Sequence, residues 1–386
     1  MRKLIILGTG MAAYSLAREF RKLDNETPMT LISADSGDFY SKPMLSNALA
    51  QSKTSETLVT TPAAKMAEQI GAEILSHCHV RCIDSETKTV AYSRDGAINQ
   101  LSYTQLVIAL GAEQRQLPLE GDKQEILSVN SLEDYAVFEK RLKDSAHVAI
   151  IGSGLIGCEF ANDIITTGRK VTVVGASAFP LANLLPEQAG EFFQKKLQEQ
   201  GIAWKNGLKV VSIEKHAKRL QLRMNDGSHL DADLVLSAIG LAPRVQLAQQ
   251  AGIETNRGVV VDTLLQSSVP DVYALGDCAE INGLTLAYIL PIMHSARALA
   301  KTLTGTPTAV SFPVMPVVVK TPAHAVVVSN LPAGSQGHWH IDIHANGVVA
   351  LFRDELGKLL AYALTGSEVS RKQELNKEVP GVMPGP

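Results

Sequence analysis

The sequence predicts an α/β fold with two Rossmann-like domains and a small α+β C-terminal domain. Three observations carry that prediction. A short apolar strand, a glycine-rich turn, a helical stretch and a second apolar strand follow one another twice. The two copies begin a domain's length apart, at Gly8 and at Gly152. From about Phe312 onward the helical pattern gives way to strand-like alternation, as in Val317-Val318-Val319-Lys320 and in the run from His338 to His344.

The first copy runs from Lys3 to Leu7, through Gly8-Thr9-Gly10-Met11-Ala12-Ala13, along a helix to about Leu23, and into a strand from Met29 to Ser33. The second runs from Val148 to Ile151, through Gly152-Ser153-Gly154-Leu155-Ile156-Gly157, along a helix to about Thr167, and into Lys170 to Val174. Each turn carries the residue types a dinucleotide pyrophosphate requires. The first glycine permits the tight turn and the second lets the backbone approach the phosphates. The third position, Ala13 or Gly157, must be small where helix packs on strand, and the helix N-terminal amides face the anion. Gly8, Thr9, Gly10, Met11 and Ala12 form one candidate cradle; Gly152, Gly154, Leu155 and Ile156 form the other. One such match is weak evidence, but two, each with strand and helix in place, are strong.

The strand after each cradle commonly supplies a carboxylate to the adenosine ribose, about 20 residues beyond the glycines. In the first copy Ser33-Ala34-Asp35 provides it, with Asp35 the nearby acid. The second copy reads Val174-Gly175-Ala176-Ser177, with neither an acid nor an arginine for a 2'-phosphate. The choice between NADH and NADPH is left open by these residues.

Composition bounds the rest. A chain of 386 residues holds two or three domains at roughly 100–200 residues each. With 45% hydrophobic and 19% charged residues it is far from the regime of disordered chains. A formal charge of -3 provides no global field for a nucleic acid or an anionic membrane. Four cysteines cannot build a disulfide framework and suit a reducing, cytoplasmic setting. The run Leu4 to Leu7 after Arg2-Lys3 is shorter than the roughly 7–15 apolar residues of a signal sequence, and no stretch reaches the roughly 20 of a membrane span.

Strand-like segments ending in glycine turns mark the boundaries: Leu101 to Ala112 before the Pro118-Leu119-Glu120-Gly121 connection, and Asp233 to Gly240 before Pro243. The segment Val269 to Cys278 is a further strand ending in Gly276-Asp277.

Together, the twin cradles, the turns Ala109-Leu110-Gly111 and Ala238-Ile239-Gly240, and Tyr273-Ala274-Leu275-Gly276-Asp277-Cys278 resemble two-dinucleotide flavoproteins of the pyridine nucleotide-disulfide reductase class. The resemblance covers essentially the whole chain. Tyr40-Ser41-Lys42-Pro43-Met44-Leu45-Ser46 and Met315 to Pro322 resemble, more narrowly, the rubredoxin reductases of that class. The class resemblance implies an FAD domain of residues 1–112 and 243–315, interrupted by an NAD(P)H domain of 113–242, with residues 316–386 as the C-terminal domain.

It also implies roles. Thr9 to Ala12 would hold the FAD pyrophosphate, Asp277 would accept from a ribityl hydroxyl, and the backbone at Val80 would lie against the adenine. Ala109, Gly111 and Gly240 belong to the turns beside the cofactors. Lys42 and Glu159 would meet as an ion pair beside flavin N5, and Lys320 would approach the pyrimidine edge. The plainer alternatives are a turn-forming Asp277, a solvated loop Lys42, an ordinary helix Glu159 and a surface Lys320.

Dithiol members of the class carry Cys-x4-Cys or Cys-x2-Cys against the flavin, and single-cysteine members carry a nucleophile near the position of Ser41-Lys42. This chain has neither. Cys78 and Cys82 fall in one strand-like run, where they are expected to share a face, and with Cys158 and Cys278 they read as packing thiols. The histidines at 77, 79, 338, 340 and 344 do not supply a zinc ligand set, so no metal is expected.

The expectation is therefore an NADH-dependent FAD reductase passing electrons singly to rubredoxin, by resemblance feeding alkane hydroxylation. Docking would be transient and electrostatic, through Lys42, Lys320, Arg297 or Lys301. A ferredoxin reductase, an NADH oxidase, or a non-catalytic redox sensor or scaffold remain the alternatives.

Overall fold

The structure, a computed structural model, describes residues 2–383. Its first sheet is five parallel strands in the order Val272–Ala274, Gln105–Ile108, Leu4–Leu7, Met29–Ile32, Glu73–Leu75. Leu4 to Leu7 are all buried, as a central strand with covered faces on both sides requires, which is why they read as a continuous apolar run. The chain leaves this sheet after Ile108 and returns to it at Val272.

Between departure and return it builds a second parallel sheet in the order Ile126–Ser128, Leu234–Ser237, His147–Ile151, Lys170–Gly175, Ile202–Asn206. The crossings are made side by side: Ala112–Gln114 pairs antiparallel with Leu241–Pro243. In both sheets the strand order reverses beside the strand that carries the glycine turn, and ligands of open α/β sheets bind in the crevice at such a point.

The third sheet is antiparallel, in the order Val317–Val319, Val326–Val328, Leu359–Thr365, Gly347–Arg353, His338–His344. On the edge strand Trp339 and Ile341 pack toward the core shared with the second sheet, whereas His338, His340 and His344 face outward. Among the described residues no helix is long and apolar enough to cross a membrane.

One expectation fails here. Cys78 is buried and Cys82 exposed, so the two do not share a face. A bulge between Val80 and Cys82 shifts the register against Thr89–Arg94, and one extra residue reverses which side of the strand follows.

Candidate cofactor and electron-transfer site

The two glycine turns are built alike. Gly8 has φ +110°, and a Cβ there would stand 2.5 Å from the Ala109 carbonyl oxygen; Gly152 has φ +114°, with its Cβ position 2.5 Å from the Ala238 carbonyl oxygen. Each alanine directly follows the strand across the switch point, so the Ala-x-Gly turns at Ala109 and Ala238 are the second walls of the crevices. At Gly157 an added Cβ would fall 1.9 Å from the Gly152 oxygen; the helix can approach the turn only without a side chain there. The corresponding Ala13 is completely buried.

Both following helices, Met11–Arg21 and Leu155–Ile165, start from a glycine, Gly10 or Gly154, with no side chain capping their first amides. By contrast Leu132–Leu142 is closed by Ser131 and Asp134 in a capping box. Uncapped first-turn N–H groups beside glycines whose Cβ positions meet nothing within 4 Å leave both room and donors for a phosphate. The cradles therefore fit two dinucleotides.

A cavity of about 660 Å³ joins them. Thr9, Gly10, Met11 and Ala12 line it from the first half, Leu155, Ile156 and Glu159 from the second, and Ala109, Gly111, Ala238 and Gly240 from the turns. Lys42, Asp277 and Lys320 also face it. Burial raises the Asp277 carboxyl above its ordinary value, with Lys42 opposing. Burial lowers the Lys42 ammonium, with Asp277 working the other way.

Lys42 does not meet Glu159, and the expected pair is corrected. The cation on Glu159 is Lys320, whose Nζ donates to Glu159 Oε2 and whose backbone N–H donates to Oε1 at 2.8 Å. Ser46 Oγ donates to the same carboxylate at 2.6 Å. Lys42 and Ser46 occupy one 3-10 stretch, Lys42–Asn47, and at about three residues per turn positions four apart look in different directions. Ser46 thus reaches Glu159 while Lys42 faces Asp277.

Ser33, Ala34, Asp35 and Val80 lie away from the cavity lining. Thr9, Ser33 and Asp35 form a cluster, with Thr9 Oγ1 donating to Asp35 Oδ1 at 3.3 Å and Ser33 Oγ donating to the same oxygen. That oxygen also accepts from Gly37 N at 2.9 Å, so one of the two carboxylate oxygens holds the turn. The Cys78 amide donates to the Ser33 carbonyl at 2.7 Å, which brings the chain leading to Val80 beside this cluster. On the second half Gly175 is glycine for a steric reason: a Cβ would stand 2.2 Å from Ser153 Oγ. No acid fits there while Ser153 is present.

Sequence reasoning passed over Ser46, Asn162, Asp163 and Gln114. Gln114 Oε1 is buried on the cavity wall and meets no donor among the described residues. Asp163 accepts from Leu49 N at 3.0 Å and Ala50 N at 2.8 Å, and Asn162 accepts from Ala323 N at 3.2 Å. A signal was present: Glu159, Asn162 and Asp163 stand at i, i+3 and i+4 in an otherwise apolar helix, which makes them one stripe.

The chain belongs to the pyridine nucleotide-disulphide oxidoreductase family, whose description matches residues 2–301. Members of this family use FAD and NAD(H), and the two cradles fit that pair. A second match, to a rubredoxin binding C-terminal domain, covers residues 309–379. The chain is 47% identical to the rubredoxin-NAD(+) reductase of Alcanivorax borkumensis over all of both chains. It is 42% identical to that of Acinetobacter baylyi, covering all of this chain and 99% of the relative. Among solved structures it is similar to a ferredoxin reductase of Rhodopseudomonas palustris, with TM-score 0.88 and 25% identity over 100% of this chain and 96% of that one.

Proposed function

We propose that the protein is an NADH-dependent reductase that passes electrons one at a time to rubredoxin, and through it to an alkane hydroxylase. The observation that carries this reading is a single cavity shared by both cradles, with Pro316, Val317, Val318 and Lys320 of the C-terminal segment as part of its wall. Bound FAD supplies the chemistry: it accepts an electron pair at once and releases it singly.

The chain's own residues hold, orient and exclude. The first-turn amides at Met11 and Leu155 receive the two pyrophosphates. Lys42 faces the cavity with Asp277, and Lys320 is held by Glu159, so the wall carries two cationic side chains toward the place the cofactors would occupy. Thiol relay is disfavoured by the cysteines near the cradles. Burial keeps the Cys158 thiol far above its ordinary range and pushes Cys278 up to about 11, so neither is a thiolate near neutrality. Electrons leave to a docked protein instead.

That contact is transient and charge-assisted in this reading, and two of the four basic residues first expected are the better placed for it. Lys42 faces the cavity and Lys320 is paired with Glu159; Arg297 and Lys301, exposed on the helix Ile289–Leu303, are the candidates that remain. The four free cysteines agree with a reducing cytoplasm.

The test is steady-state NADH oxidation with rubredoxin, ferredoxin or O2 as sole acceptor. Rubredoxin turnover at least about tenfold above the others, a margin of about 1.4 kcal/mol in the barrier, is expected. Absence of stimulation by rubredoxin, or a protein that takes up no FAD, overturns the reading.

A further inference from the structure

Ser46 is 4% exposed and holds both members of the ion pair on the cavity wall. Its Oγ donates to Glu159 Oε2 at 2.6 Å and accepts from Lys320 Nζ at 3.2 Å. We propose that Ser46 is a positioning residue for electron entry from the nicotinamide nucleotide, setting where the Glu159 and Lys320 charges stand relative to the bound cofactors. The proposal rests on the reductase reading above.

The donor and acceptor count gives the reason. Glu159 is 1% exposed; its Oε1 accepts from Lys320 N, and its Oε2 accepts from both Lys320 Nζ and Ser46 Oγ. An ammonium has three donors. One goes to Glu159 and one to Ser46, so the direction of the third, the one left for a ligand, follows from the other two. Without the hydroxyl the ammonium keeps only its carboxylate and is free to turn about its last side-chain bond.

Ser46 is separate from the staple that holds its segment. That staple is Asp163, which takes the Leu49 and Ala50 amides one turn further along the helix that carries Glu159. Among the described residues, apart from a long contact to the Pro43 carbonyl at 3.5 Å, the Ser46 hydroxyl bonds only to the two charged side chains. Losing it disturbs the charges while the backbone stays pinned. Fixed charges in a dry site influence a reaction through their placement.

Ser46→Ala and Ser46→Thr, loaded with FAD, provide the test. Three quantities are read: the rate of anaerobic flavin bleaching by NADH, the NAD+ dissociation constant from the change in flavin absorbance, and the melting temperature. In Ser46→Ala bleaching should slow about tenfold, the size of one hydrogen bond to a charged group. The dissociation constant should stay within about twofold, well under one hydrogen bond, the melting temperature should hold, and Ser46→Thr should restore the rate.

Bleaching at the wild-type rate in Ser46→Ala overturns the proposal. So does a loss that tracks the melting temperature and is no better in Ser46→Thr. Should Ser46→Ala fail to take up FAD, Ser46→Cys replaces it, being similar in volume and a weak donor; a slowed Ser46→Cys supports the proposal and an unslowed one overturns it. Wild-type protein that NADH does not bleach refutes the reductase reading and the proposal with it, whereas normal wild-type bleaching with an unaffected Ser46→Ala refutes the role of Ser46 alone.

Discussion

Gly8 and Gly152 meet their surroundings in the same way, yet the helices that follow them are buried by opposite chemistry. Met11–Arg21 buries Ala12, Ala13, Tyr14, Leu16, Ala17 and Phe20 and lies against another helix, Ile289–Leu303. Leu155–Ile165 buries Glu159, Asn162 and Asp163 among its apolar residues, and it is covered by the end of the 3-10 stretch Lys42–Asn47 with the turn that follows it to 50, and by the chain at 320–323. A covering helix satisfies most of its own amides, so apolar side chains suffice beneath it. Covering loops bring backbone N–H groups that need acceptors, and Lys320, Ala323, Leu49 and Ala50 find theirs on this one helix.

The likeness of the two turns can be broken at the glycines, where the largest effect is expected. Gly8→Ala and Gly152→Ala each force an L side chain to positive φ and against a backbone carbonyl, a combination with no flexible neighbour to yield. Gly8→Ala should lower the ratio of bound flavin to protein by about tenfold or more, in line with strain of about 1–3 kcal/mol. Gly152→Ala should keep its yellow colour and lose bleaching by NADH. Equal flavin loss in both variants would contradict the assignment of the first cradle to FAD.

The difference between the helices is sharpened next at Asp163. Asp163→Ala removes the acceptor of the Leu49 and Ala50 amides; Leu49 is half-buried and Ala50 exposed, so water replaces part of the loss and each bond lost costs about 0.5–1.5 kcal/mol. Thermal denaturation should show a clear drop in melting temperature. An apolar truncation in the first helix, such as Leu16→Ala, costs through a cavity instead, so a double variant should be additive; strong coupling would argue against two independent covers.

The smallest expected effect is in pH. The turn that covers the second helix ends at His324, whose Nε2 meets Thr365 Oγ1 at 3.0 Å. Burial, with Lys196 adding and Glu199 opposing, lowers its imidazole from 6.5 to about 4. The unfolded chain therefore binds this proton first, so stability contributed above pH 6.5 is lost as pH falls toward about 4. The loss is on the order of 2 kcal/mol. His324→Gln, which retains a donor for Thr365, should flatten that part of the stability profile, as followed by urea denaturation. An unchanged slope would mean that other groups govern it.

Much of this architecture was legible before any coordinates. The strands Leu4–Leu7 and His147–Ile151 announce themselves as apolar runs, and both cradles as glycines between strand and helix, because burial on two faces and positive φ act on neighbouring residues. The ion pair was not legible. Lys42 and Lys320 are each a lysine in a plausible segment, and only the turn of a short 3-10 stretch and the arrival of the third sheet decide which one reaches Glu159. The face of Cys82 was equally hidden, since a one-residue bulge leaves no trace in composition.

The residues alone thus determined the repeated cradle, the order of helix and strand, and the small side chains at Ala13 and Gly157, all consequences of backbone geometry over a few positions. The tertiary structure decided which charges share a wall, which loops lend their amides to Leu155–Ile165, and where Ser46 points. Those contacts join segments far apart in the chain, and their geometry exists only once the sheets have closed around one cavity.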